Sequence, residues 1–158
     1  MAQNFSLPLR RAVLTQLKRD AAVTALIPSA NIYPSSTPPP APTPPVAGKT
    51  YLQWPFYRQG VPLTVPFRAS GLDSSTVRFA GHAFTKPLLN AQGAMLATAE
   101  DQAHKMAAVI AAALDGAVLA LEGGMKATLT WLGSSVIQDG DEADAWHAVV
   151  NISADIAG

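Results

Sequence analysis

Leu9, Val13, Leu17 and Ala21 recur every fourth residue near the start of the chain, with Arg10, Arg11, Lys18 and Arg19 falling mostly between them. That period predicts an amphipathic helix over residues 7–19. Ser6 is placed as its N-cap and Pro8 in its first turn, where the missing N–H removes no helix bond. Asp20 is placed to cap a second short helical turn through Ala21, Val23 and Leu26, which Pro28 ends. From Pro34 to Pro45 prolines dominate, with Ser35, Ser36 and Thr37 among them, so residues 34–48 are expected to form an extended, unpaired surface loop.

After that loop the pattern becomes extended. Residues 51–54 and 63–68 are short strand candidates, and Pro55, Pro62 and Pro66 assign them to a sheet edge or a bulge. Residues 76–84 alternate better: Val77 and Phe79 are expected to face the core, and Arg78 and His82 the opposite side. A helical period returns over residues 92–114 through Ala99, Ala103, Met106, Ile110 and Ala113, stopped by Gly116. Thr98 with Asp101 three residues on is a capping box, which offers Thr98 as an alternative start. Met125, Ala127, Leu129 and Trp131 then alternate with polar residues, as do Trp146, Ala148, Val150 and Ile152, around an Asp139-Gly140-Asp141 turn. They predict an antiparallel hairpin. The expected fold is a single α+β domain over residues 1–158: a mostly antiparallel sheet of about four to five strands with two main helices packed on one face.

Composition changes this picture in one respect. Charged residues are 14% of the chain against 49% hydrophobic ones, whereas about 25% charged is usual for a soluble domain. Either a compositional bias of the genome or burial against other subunits accounts for the deficit. Eleven basic residues balance eleven acidic ones, so no overall field draws in nucleic acid. Cysteine is absent, which excludes disulfides, thiolate metal sites and cysteine nucleophiles. No apolar run reaches membrane-span length and no leader pattern opens the chain, so no membrane is expected as a partner and synthesis in the cytoplasm is.

Candidate chemistry is sparse. Ser134 and Ser135, His82, His104 and His147, and Asp101, Asp139, Asp141 and Asp144 include every part a hydrolase needs, but no local signature joins them. No two histidines have the i, i+4 spacing that offers two metal ligands on one helix face. The acids from Asp139 to Asp144, Glu142 among them, lack the helical flanks of a calcium loop and read as a solvated hairpin tip. Gly123-Gly124 has no Lys-Ser/Thr partner and reads as a turn. Trp54, Phe56, Tyr57 and Arg58 form an aromatic and basic cluster of the kind that stacks on bases, yet the balanced charge favours packing or a subunit contact. With Tyr51, these four are the candidate subunit or partner interface. No catalytic, cofactor-binding or metal-binding residue is expected, and the chain is not expected to be an enzyme.

Several strings carry a family resemblance: Leu9 to Leu17 leading into Asp20-Ala21-Ala22-Val23-Thr24-Ala25-Leu26; Ile32-Tyr33-Pro34; the alanine-rich segment closing in Ala113-Leu114-Asp115; and the stretch from Asp139-Gly140-Asp141 to Trp146-His147. Over most of its length the chain resembles the tail terminator, or tail completion, proteins of long-tailed bacteriophages and gene-transfer particles. The resemblance implies a homomeric ring, usually a hexamer, at the head-proximal end of the tail. Its implied partners are the major tail tube protein and a head-completion or connector protein, and the genome passes through without specific binding. It implies no cofactor, and a location in the virion after assembly in the host cytoplasm. The proline segment and residues 86–93 depart from the family pattern. Alternatives are a head-completion or stopper protein, a small-ligand-binding or hydrolytic α+β domain, and a single-strand nucleic-acid module.

Overall fold

The computed structural model describes residues 5–69 and 72–158. The opening periodicity becomes α1 (Ser6–Arg19), with Leu9, Val13 and Leu17 fully buried along one side. Phe5 occupies the N-cap position and Ser6 is the first helical residue, one position later than its expected role. Asp20 stops α1 in extended geometry, and its carboxylate accepts from the Val23 N–H at 3.0 Å to start α2 (Ala21–Leu26). Ala21 therefore opens a new, exposed turn, and the α1 stripe ends at Leu17.

The remaining elements are β1 (Ile32–Tyr33), β2 (Phe56–Gln59), β3 (Leu63–Ala69), β4 (Leu72–Thr85), β5 (Leu88–Leu89), β6 (Met95–Ala97), α3 (Ala99–Leu114), β7 (Val118–Ala120), β8 (Lys126–Gln138) and β9 (Trp146–Ala157). Seven strands form the main sheet, in the order β1-β2-β4-β9-β8-β7 with β3 pairing β4 beside that path; β5 and β6 form a second, two-stranded sheet. β1 runs parallel to β2, whereas the other paired strands are antiparallel. The expectation of a mostly antiparallel sheet of four to five strands under two helices is therefore overturned: the six-strand path is a curled, mixed half-barrel. α3 alone lies across β4, β9 and β8, while α1 packs on α2 and α3 and reaches the sheet at its rims, β1 and β7. Strands of two or three residues leave no period-2 signal, which is why the count fell short.

β9 is the axis of the sheet, flanked along its whole length by β4 and β8. Its even-numbered residues from Ala148 to Ile156 point inward, with Val77, Phe79 and Ala83 of β4 and Ala127 and Leu129 of β8. Ala103, Met106, Ala107, Ile110 and Leu114 of α3 close over them. The small alanine side chains bring the helix backbone near the sheet, and Met106 and Ile110 fill the space between.

Other expectations shift locally. Residues 51–54 are not a strand; β2 starts at Phe56, and lies between β1 and β4 and not at an edge. Residues 92–98 are not helical, because Asn90 Oδ1 accepts from the N–H groups of Gln92 and Ala94 and turns the chain into the β5–β6 hairpin. α3 begins at Ala99, capped by Thr98, whose hydroxyl accepts from the Asp101 N–H at 3.1 Å. Trp131 keeps the expected face, opposite the fully buried Ile152, but it stands at the margin of the sheet beside Ala107 and Ala111 of α3 and is 45% exposed; the register shift follows it, between Trp131 and Gly133. The proline segment has no regular structure, as expected, but it is not unpaired: the Leu52 N–H donates to the Pro39 carbonyl and the Val46 N–H to the Tyr51 hydroxyl, both at 3.0 Å.

Candidate functional site

Strand pairing sets up one unusual surface, on the face of the sheet away from α3. Phe56 of β2 sits opposite Phe84 of β4, and Phe84 opposite His147 of β9. The three rings stack in a row, Phe56 on Phe84 at 4.7 Å and Phe84 on His147 at 4.1 Å between centroids, with interplanar angles of 13° and 14°. Trp54 meets Phe56 edge-on at 5.0 Å. One row along, Arg58 pairs with His82, and the Arg58 guanidinium stands 5.9 Å over the Phe84 ring. Lys86 places its Nζ 4.8 Å over Trp54 and also pairs with Glu142 of the hairpin tip at 3.3 Å. The result is a preformed aromatic row with two cations on its rim, of the kind that contributes cation–π attraction as well as buried area.

Within this row His82 Nδ1 and His147 Nε2 lie 2.7 Å apart, so that one ring donates and the other accepts. Burial, then the Arg58 charge, lower the pKa of His82. Burial, then His82, depress that of His147 to about 4; Asp139 pulls the other way, and Arg58 adds a weaker depression. Both rings are neutral at pH 7, which matches a pair that shares one hydrogen bond.

That shift gives a pH dependence of fixed sign. As pH falls through about 6.5 the unfolded chain takes up a proton that the folded His147 refuses until about pH 4, so this contribution to stability is complete above pH 6.5 and is lost on acidification. Because the ring is only partly buried, solvent screening reduces the loss to on the order of 1 kcal/mol. Thermal melts between pH 7 and pH 4 are expected to show this slope in the parent protein and a flatter one in His147→Gln. An equal slope in both would place the linkage elsewhere.

The candidate interface residues separate. Trp54, Phe56 and Arg58 come together in the outer-face row. Tyr57 points the other way and is fully buried in the core, where desolvation raises the pKa of its hydroxyl. Tyr51 belongs to the proline loop through its hydroxyl. His82, Phe84, Lys86 and His147 were missed as members of the cluster. Alternation marks the first two and His147 as outward-facing, but which strands are neighbours was not readable.

The parts weighed for catalysis stay apart. Ser134 Oγ accepts from the Trp131 indole N–H at 3.0 Å, and neither Ser134 nor Ser135 hydrogen-bonds a histidine among the described residues. His104 lies 3.9 Å from Glu100 on its own helix. Asp139 closes its own turn by accepting from the Asp141 N–H. Among the described residues no three His, Asp or Glu side chains gather as a metal site.

No family model matches the sequence, and no curated protein does. A chain in the solved structure of the virion of the native gene transfer agent (GTA) particle is similar in fold. The match covers 99% of this chain and 100% of that one, with a TM-score of 0.72 and 22% sequence identity.

Proposed function

We propose that this chain is a structural component of a phage-like particle, and within that class a tail terminator whose ring caps the head-proximal end of the tail tube. The observation that carries this reading is the end-to-end likeness of fold to a chain of a gene transfer agent virion. The low share of charged residues and the exposed apolar side chains at Leu88, Leu89, Met95 and Leu96 on the β5–β6 hairpin accord with surfaces covered by other subunits. The outer-face row of Trp54, Phe56 and Arg58 is the contact patch we assign to a neighbouring subunit or tail partner, with Trp54 and Arg58 offering the surface and Phe56, 6% exposed, supporting them from within. A net charge of zero suits a collar through which a genome passes without being held. The ring has the tube protein on one side and a head-completion protein on the other, and performs no reaction.

Electron microscopy of headless tail tubes mixed with the purified protein tests the assignment. The expected result is a ring at one end of each tube and an arrest of further tube growth. Binding to filled heads with none to tubes would instead make the chain a stopper of the head side.

A further inference from the structure

The main sheet ends in two unpaired strand edges on its opposite sides. β7 covers β8 only from Lys126 to Thr128, and the next positions are closed by Gly116 and Ala117 bonding Leu129 and by the Asp115 carboxylate accepting from the Trp131 N–H. Over residues 132–138, among the described residues, no strand lies on the far side of β8. At the hairpin end the Asp139 N–H bonds the Ala145 carbonyl, and the alternation of an antiparallel ladder then turns the backbone groups of Ser134 and Val136 away from β9. Across the sheet, β3 pairs with β4 alone among the described residues. Large apolar side chains stand exposed at both places: Trp131, Leu132 and Ile137 on β8, Val61 and Leu63 at the start of β3. Edges of this kind, long and flanked by apolar groups, are templates for another strand.

We propose that residues 132–138 of one copy pair with β3 of the next, so that the sheet runs on from subunit to subunit. This deepens the ring reading above and rests on it. Strand polarity supports the choice of partner. β4 and β8 both run antiparallel to β9, and β3 runs antiparallel to β4, so β8 and β3 point in opposite directions and a second copy in the same orientation offers an antiparallel ladder. The edges are of similar length, seven residues in β3. The missing donor of Pro66 removes at most one bond. A second relation concerns closure. β3 lies beside the C-terminal half of β9 and the free part of β8 beside its N-terminal half, so each copy is displaced along the strand direction from the last. A sheet that closes on itself needs such a stagger, because its strands must tilt against the axis.

The chain has no cysteine of its own, so introduced thiols report only on each other. Leu63 lies opposite Arg78 and Ile137 opposite His147, which puts positions 63 and 137 on the same outer face, at facing ends of the two edges. In Leu63→Cys/Ile137→Cys, mild oxidation is expected to link most of the chain into a ladder that ends at the ring size, while either single variant stays uncrosslinked. Dimers from a single variant would mean two-fold pairing of like edges and would overturn the proposal. So would rings seen by native mass measurement that crosslink neither in this variant nor in Leu63→Cys/Ser135→Cys, with the ring itself then left standing. A protein that is monomeric both alone and on tail tubes removes the ring reading as well.

Discussion

Gly81→Ala is expected to cost about 3 kcal/mol of stability, at the upper end of the range for overpacking a core. A Cβ at position 81 would stand 2.5 Å from the Tyr57 hydroxyl oxygen, 2.7 Å from Cε2 and 2.9 Å from Cζ. The ring has nowhere to go: it is fully buried on the inner face of β2, opposite Ala83, itself fully buried. Either β2 and β4 separate locally or the ring leaves its rotamer, and both disturb the pairing that holds Phe56 against Phe84. At roughly 2–4 °C per kcal/mol for a chain of this size, the melting temperature should fall by roughly 6–12 °C. Gly140 is the control, since a Cβ there meets nothing within 4 Å. Gly81→Ala melting with the parent would show that Tyr57 does not fill the space beneath that glycine.

Ile110→Ala should have an effect of similar size by the opposite route. Ile110 is fully buried where α3 crosses the sheet, and the alanines around it, Ala103, Ala107, Ala111 and Ala113, have no bulk to spread into a void. Truncation therefore leaves a cavity that collapses poorly, for which about 3 kcal/mol is typical. Chemical denaturation measures it, and a shift in midpoint at unchanged slope is expected. A loss below about 1 kcal/mol would mean that α3 is not seated on the sheet as described.

Where the hydrophobic period was long, the chain could be read directly. Leu9, Val13 and Leu17 gave α1, Asp20 gave the cap of α2, and the alternation of Ala127 and Leu129 with that of Ala148 to Ile152 gave the β8–β9 hairpin. Short strands were illegible, because Ile32–Tyr33 and Val118–Ala120 acquire their role only from the strands beside them. The same limit hid the outer-face row. His82 and His147 are 65 positions apart, and only the register between β4 and β9 brings their nitrogens to 2.7 Å. Residues 92–98 failed for another reason: a helical spacing of apolar groups lost to the Asn90 side chain, which bonds the backbone locally into a turn. The proposed contact patch was half legible, since the Trp54 to Arg58 string drew notice while its alternation put Tyr57 inside.

The strand on which the two halves of the main sheet depend is the last of the described elements to be synthesised. Among the described residues, β4 and β8 are joined in the sheet only through β9. Until β9 emerges, the nascent chain has two long ribbons with no strand between them, and α3 lacks the central strand of the floor it covers. Contacts so distant in sequence close slowly and together. The unpaired side of β8 thus takes its final form in one late step, so that under the proposed reading a copy offers this edge to a neighbour only once its own core has closed.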